Sequence, residues 1–320
     1  MKKMKQKVYV CEPIHPDAIS LLKEHFDVIQ GEDLQNMIGE AQGCSGILVR
    51  SARITADIMD AIPSLKVIAK HGMGVDNIDM EHATEKGILV VNAPFSNLNA
   101  VAEHIVMLLL SLSKRTVRMD KLTRCGKFQE RNTYKTMELK GSTVGFIGLG
   151  KISRSVVKKL SGFDLHIIAN DPAVRQADVG DLPVTMVTAE EVYSTSDFVI
   201  VHTSLFPSTF HLVGAEQFRL MKPSAFLINA ARGAVVDEAA MIEALNAGEI
   251  AGAGLDVFEQ EPPAENNPLF SMENVILSPH NAALSDGALW AMAMDSAQGI
   301  VDHLEGRTPK YPCNPAVLPD

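Results

Sequence analysis

The pattern of apolar and polar positions alternates along most of this chain. Short β-rich apolar runs at Lys7–Cys11, Gly46–Val49, Lys66–Ala69 and Ile88–Val91 read as strands. Between them, Asp17–His25, Thr55–Ala61 and Asp79–Lys86 carry apolar residues at helical spacing, with Asn77 or Asp79 as N-cap and Gly87 as a helix stop. A long helical stretch then runs from about Asn99 to Thr123, its apolar side marked by Val101, Ile105, Leu108, Leu109 and Leu112. After a linker from Arg124 to Gly141 a second series begins. Its strands are Thr143–Ile147, Leu165–Ala169, Phe198–His202, Ala225–Asn229, Gly252–Val257 and Val275–Leu277. A final helical pattern from about Leu284 to Leu304 leads into a Pro-rich tail, Thr308–Asp320. Strands that are apolar almost throughout and separated by helices predict parallel sheets covered on both faces, so the fold class is α/β. The six strands of the second series fit a doubly wound nucleotide-binding sheet.

Composition narrows the reading. With 320 residues there is room for two domains, and 46% apolar against 21% charged residues is the balance of a soluble globular protein. A net charge of −10 argues against a nucleic-acid partner, which would favour a basic patch. The basic start, MKKMKQK, precedes only Val8-Tyr9-Val10, too short for a signal-peptide core. The most apolar segment, Ile105–Leu110, falls far short of the roughly 20 residues of a membrane span. Cys11, Cys44, Cys125 and Cys313 lie far apart, as expected of reduced thiols in a cytoplasmic protein. No His/Cys spacing suggests a metal site.

The chemistry starts at Val144-Gly-Phe-Ile-Gly148-Leu-Gly150-Lys151-Ile152-Ser153. In a dinucleotide-binding G-x-G-x-x-G turn the first glycine permits the tight turn and the second lets backbone approach a pyrophosphate at the helix N-terminus. The third allows close helix–strand packing. Gly148 and Gly150 occupy the first two positions, and Ser153 replaces only the packing glycine. Its hydroxyl is expected to bond back to a carbonyl of the preceding turn. Asp171 lies 21 residues beyond Gly150, at the end of the next strand. A carboxylate there accepts from both adenosine ribose hydroxyls and repels a 2′-phosphate, favouring NAD over NADP, with Arg175 nearby as a counterweight.

Three further clusters follow strand ends: Asn229-Ala-Ala-Arg232-Gly233, Gly254-Leu-Asp256-Val-Phe-Glu-Gln-Glu261-Pro262, and Ser278-Pro-His280. They supply a guanidinium, a carboxylate and an imidazole. Taken singly, each has a plainer reading, as an ion pair, a solvated loop acid or a helix cap. Together they suit reversible oxidation of a 2-hydroxy acid. An imidazole takes the hydroxyl proton, a carboxylate fixes its tautomer, and a guanidinium grips the substrate carboxylate. His104 and His202 read as structural, neither having an acidic neighbour in a matching motif.

These segments resemble the D-isomer-specific 2-hydroxyacid dehydrogenases. The resemblance runs through 49–79, NAVAEHIVMLLL at 99–110, 138–153, VHTSLFPST at 201–209, 227–245, GLDVFEQEPP at 254–263 and LSPHNAAL at 277–284. It implies His280 as acid–base residue, Glu261 as its partner and Arg232 as substrate clamp, with Arg232 and His280 also bordering the cofactor. It further implies that Lys151 and Ile152 face the pyrophosphate, that Thr203 and Ala230 form the pocket wall, and that Asp256 holds the nicotinamide carboxamide. Gly72-Met73-Gly74 would offer N–H groups to the substrate carboxylate, with Asn97 nearby. Met73 departs from the small or hydroxyl residue common there.

The implied architecture is a Rossmann-type NAD-binding domain, 99–285, inserted into a flavodoxin-like α/β substrate domain made of 1–98 and 286–320. The active site would lie in a closing cleft, and a two-fold homodimer would use the long helix. Arg50 and Arg131 either meet a distal phosphate, as in phosphoglycerate-oxidising members, or are solvated. The expected substrate is a small 2-hydroxy or 2-oxo acid, 3-phosphoglycerate first and glyoxylate or hydroxypyruvate next. Serine feedback is not expected, since no appended regulatory domain follows. A different class, an NAD-sensing corepressor-like binding protein, stays open.

Overall fold

A computed structural model describes residues 5–31 and 36–318. Met1–Met4 of the basic start, and Pro319 and Asp320 of the tail, lie outside them. The chain divides into two compact units, Met1–Asn97 with Ala283–Asp320, and Leu98–Ala282.

The first unit is built on a five-stranded sheet of β1 (Lys7–Val10), β2 (Asp27–Gln30), β3 (Cys44–Val49), β4 (Val67–Lys70) and β5 (Leu89–Val91). All its pairings are parallel and the order is β2-β1-β3-β4-β5, the flavodoxin-like order. Alternate residues of each strand serve opposite faces. Val8, Val10, Leu48, Val67, Ala69 and Leu89 pack with Ala18 and Leu22 of α1 (Pro16–His25) and with Ala293, Ala297 and Ile300 of the C-terminal helix Asp286–Leu304. Tyr9, Ile47, Val49, Ile68 and Val90 pack on the other side with Ile54, Met59, Ile62 and Ala83. Asp79 caps the helix Met80–Glu85, its side chain accepting from the His82 N–H, and Gly87 ends it with φ +69°. Edge strand β2 was not expected from the pattern: it is four residues long with no fully buried position.

The second unit carries seven parallel strands, one more than the sequence pattern predicts. They are β6 (Thr143–Ile147), β7 (His166–Asn170), β8 (Thr185–Met186), β9 (Phe198–Val201), β10 (Phe226–Asn229), β11 (Gly252–Leu255) and β12 (Val275–Leu277). The order β12-β11-β10-β9-β6-β7-β8 reverses between β6 and β9, the switch point of a Rossmann sheet. The additional strand, β8, is a two-residue edge, too short to show a period. The long helix also needs correction. It breaks at Arg115, whose φ of 51° is left-handed, into Leu98–Lys114 and Thr116–Arg124. The apolar side that buries Val101, Ile105, Leu108, Leu109 and Leu112 ends there, and the second piece buries none of its residues. The linker contains a short 3-10 helix, Phe128–Thr133. Among the described residues no helix is long and apolar enough to cross a membrane.

Candidate active site

In the second unit β6 runs into the glycine turn, where Gly148 adopts φ +93°. A Cβ there would lie 2.5 Å from the His202 carbonyl oxygen at the end of β9, so only glycine lets the two strand ends meet at the switch point. Gly150 caps the ten-residue helix Lys151–Leu160 without a side-chain hydrogen bond, and a Cβ on it would enter open space. The helix N-terminus thus has room in front of it and N–H groups to offer, which fits the pyrophosphate of a dinucleotide. Ile152 is buried, leaving its backbone as the part that can meet phosphate. Ser153 is fully buried and its hydroxyl donates to the Gly148 carbonyl at 2.8 Å, the bond expected from the sequence.

Asp171 ends β7 beside this turn. Its carboxylate accepts from the Leu149 N–H at 2.8 Å and from the Ala173 N–H at 2.9 Å. Each oxygen keeps a second lone pair for a ribose hydroxyl. Arg175 is turned toward Asp178, 3.2 Å away, and is largely exposed. Thr203 and Ala230 follow β9 and β10; the Thr203 Cβ lies 3.4 Å from where a Gly148 Cβ would stand.

The three catalytic candidates gather at the C-terminal ends of β10, β11 and β12. His280 Nδ1 lies 2.7 Å from Glu261 Oε2, and the other Glu261 oxygen accepts from the Phe258 N–H at 3.1 Å. With its Nδ1–H committed to a carboxylate, the neutral ring has its basic lone pair at Nε2. Burial alone would raise the Glu261 carboxyl. Hydrogen bonding and charge from His280, the Phe258 N–H and the charge of Arg232 outweigh it and hold the group below the ordinary glutamate range. Arg232 also donates to the Ala231 carbonyl at 2.7 Å, and Asn229 Nδ2 ties down the Arg232 carbonyl at 2.9 Å. His202 is pushed down to about 4 by burial, with the Arg232 charge adding to the effect. A neutral His202 fits its structural reading.

Asp256, expected to hold the nicotinamide carboxamide, is fully buried. Its Oδ1 accepts from Ser278 Oγ at 2.6 Å and the Asn281 N–H at 3.0 Å, and its Oδ2 from the Ala282 N–H at 2.9 Å. His104 does have an acidic neighbour, Asp256 Oδ1 at 3.5 Å, and its Nε2 is 2.9 Å from Ser278 Oγ. Burial holds the His104 imidazole below its ordinary value, although Asp256 pulls the other way. No sequence signal joined these two residues, because they come from a helix and a strand end far apart in the chain. Arg131 sits in the same unit with its guanidinium 4.1 Å from the Phe128 ring centre and is exposed.

In the first unit Arg50 follows β3 and its turn is clasped from below. The Glu12 carboxylate accepts from the N–H groups of Arg50 (2.7 Å), Ser51 (2.6 Å) and Ala52 (2.8 Å). Lys70 Nζ donates to the Arg50 carbonyl at 2.5 Å and to Asn77 Oδ1 at 2.6 Å. Gly72, Met73 and Gly74 follow β4; the Gly72 carbonyl accepts from the Ala93 N–H and that of Met73 from Asn92 Nδ2. Two buried polar atoms of this unit have no hydrogen-bond partner among the described residues, Asn97 Oδ1 and His71 Nε2. The Asn97 atom fits a residue kept for a ligand. Among the described residues no group of three or more His, Cys, Asp or Glu side chains could hold a metal ion.

The doubly wound sheet and its glycine turn are those of a dinucleotide-binding domain. Residues 106–282 match the NAD-binding domain of the D-isomer-specific 2-hydroxyacid dehydrogenases, and the chain belongs to that family. It is 38% identical over 304 residues to D-3-phosphoglycerate dehydrogenase of Archaeoglobus fulgidus, covering 94% of this chain and 58% of that protein. It is 35% identical over 327 residues to a glyoxylate reductase of Thermococcus onnurineus, covering 98% of each. An NADPH-dependent glyoxylate/hydroxypyruvate reductase of Sinorhizobium meliloti, solved with NADP and malonate, superposes with a TM-score of 0.88 at 30% identity over 99% of both chains.

Proposed function

We propose that this chain is an NAD-dependent oxidoreductase that interconverts a small D-2-hydroxy acid and its 2-oxo acid. The observation that carries the reading is the 2.7 Å Glu261–His280 pair beside Arg232, on the same sheet as the glycine turn. Bound nicotinamide supplies the acceptor or donor of hydride at C2. His280 Nε2 takes the C2 hydroxyl proton as the C2–H pair departs, and returns it to the carbonyl oxygen in reduction. Glu261 steadies the imidazolium so formed, and Arg232 holds the substrate carboxylate by paired hydrogen bonds. Gly148, Gly150, Lys151 and Ile152 would bind the pyrophosphate, Asp171 the ribose, and Thr203 and Ala230 the pocket wall. Asp171 favours NAD.

In this reading the second unit binds the cofactor and the first binds substrate through Gly72-Met73-Gly74, Asn97 and Arg50. Arg50, on a turn held by Glu12 and Lys70, favours an anionic tail such as that of 3-phosphoglycerate, and Arg131 is the second candidate for it. Reduction of glyoxylate or hydroxypyruvate is the second reading, favoured by the full-length similarity to a protein named glyoxylate reductase. A two-fold dimer belongs to the same proposal, because the helix Thr116–Arg124 has no fully buried residue and Val117 is 58% exposed.

The test is NADH oxidation with a panel of 2-oxo acids, phosphorylated and not. Arg50→Ala should raise KM for the phosphorylated acid by about 10- to 100-fold, the worth of a charge-assisted bond, and leave glyoxylate unchanged. An equal effect on both acids removes the phosphate role. NADH binding without turnover of any acid would favour a corepressor-like sensor.

A further inference from the structure

His280 stands in a conformation its residue type disfavours, and the neighbours that enforce it lie outside the Arg232, Glu261 and His280 set. Its φ is +49°, a left-handed backbone that costs a non-glycine residue about 1–2 kcal/mol. Such a conformation persists only where its surroundings over-determine it. Here the main holder is one buried residue. The His280 N–H donates to the Asp256 carbonyl at 2.8 Å, and more weakly to that of Ser278 at 3.1 Å, while the Asp256 carboxylate accepts from the next two N–H groups, those of Asn281 and Ala282. The turn 280–282 is therefore wound on Asp256, while Glu261 fixes the imidazole from the side.

Asp256 is held in turn. Ser278 Oγ has one proton and two acceptors in reach, the Asp256 carboxylate at 2.6 Å and the Leu255 carbonyl at 3.3 Å, and the nearer, charged one takes it. At 2.9 Å from His104 Nε2 the same oxygen must then accept. That order assigns the Nε2–H tautomer to His104 and directs a single chain of donors from His104 through Ser278 to Asp256. Removing the first donor would leave the part-buried Ser278 oxygen short of one hydrogen bond and loosen its aim on the Asp256 carboxylate, which would then be held by the Asn281 and Ala282 N–H groups alone.

We propose that His104 is a positioning residue for the reaction, acting through Ser278 and Asp256 to hold His280 in its left-handed backbone and its ring on Glu261. This rests on the dehydrogenase reading, in which His280 moves the proton. Its partners are Ser278 and Asp256, and its effect is on where His280 stands. A ring displaced by about 1 Å loses up to roughly 100-fold in proton transfer.

The experiment compares H104F, S278A and their double variant in NADH oxidation, with H104Q as the conservative replacement. Each single variant should lower kcat about tenfold or more, with KM and NADH affinity within threefold. The double variant should be no worse than the poorer single one, because both cut one chain. H104Q, whose amide can donate to Ser278, should recover most of the loss. Losses that multiply in the double variant, or H104Q as impaired as H104F, would overturn the proposal. Hydrogen exchange at the His280, Asn281 and Ala282 amides reads the same claim without turnover and should speed up in H104F. If the wild-type chain reduces no acid, the dehydrogenase reading fails while faster exchange still supports the His104 chain. Unchanged exchange in folded H104F and S278A would overturn it, and S278A, the smaller change, carries the test if H104F does not fold.

Discussion

Replacing Gly233 by alanine probes how closely the segments bearing Arg232 and Glu261 must approach. A Cβ on Gly233 would lie 1.9 Å from both the carbonyl carbon and oxygen of Phe258, and 2.4 Å from the Glu259 nitrogen. All three are backbone atoms, so no rotamer change relieves the overlap. Reaching the 3.4 Å of ordinary contact from 1.9 Å requires the two segments to part by about 1.5 Å. Glu261 lies two residues beyond Glu259 and meets His280 across 2.7 Å, a bond that weakens steeply beyond roughly 3.2 Å. Overpacking of this kind costs about 1–3 kcal/mol, within the roughly 5–15 kcal/mol stability of a folded domain. The variant should therefore fold, with Tm lowered by roughly 2–10 °C. Catalysis should suffer more, since about 1 Å of misplacement at reacting groups costs on the order of 100-fold. The assay is kcat/KM for NADH oxidation at a saturating 2-oxo acid, with thermal unfolding followed by circular dichroism on the same preparation. A G233A protein with kcat/KM within threefold of wild type and an unchanged Tm would refute the close approach.

Glu261→Gln should lower kcat about 100-fold or more. The carboxylate accepts from both Phe258 N–H and His280 Nδ1–H, whereas an amide has one acceptor oxygen and must either drop a bond or present its NH2 to the ring and impose the wrong tautomer. The same substitution has a pH signature. Glu261 titrates below the ordinary glutamate value in the folded chain, so the stability it lends is present above the unfolded value and lost as pH falls through the folded one. The Tm gap between wild type and E261Q should accordingly be open at neutral pH and close in acid; a gap that widens in acid contradicts the assignment. Ser153→Gly should cost roughly 1–2 kcal/mol, through the lost bond to the Gly148 carbonyl and glycine's poor helix propensity, yet leave NADH affinity within a few-fold. A large gain in affinity would mean that Ser153 obstructs the cofactor turn.

Much of this protein is written in spacings of two and three to four residues. The opposite facing of Val8 and Tyr9, or of Ile47 and Leu48, follows from strand geometry alone, and it dictates a sheet buried on both sides. The glycine turn and the acid after β7 are legible for the same reason: a tight turn and a carboxylate one strand later are local requirements. Edge strands β2 and β8 escaped because pairing with a neighbour, not their own pattern, makes them strands. The break at Arg115 escaped because the helical period fades gradually there, while the chain turns abruptly.

Only tertiary packing decided what stands around His280. His104 and Ser278 are 174 residues apart, and Gly233 meets Phe258 because one parallel crossover, through the helix Glu238–Ala247, brings the ends of β10 and β11 side by side. Contacts of that kind depend on which strands become neighbours in the sheet. By itself the sequence determined the two sheets and the glycine turn, and it singled out Arg232, Glu261 and His280 as candidates, because these rest on local stereochemistry and short motifs. The left-handed backbone of His280, the inward turn of Asp256 and the service of His104 were settled by the fold, because a hydrogen bond takes its partner from position in space.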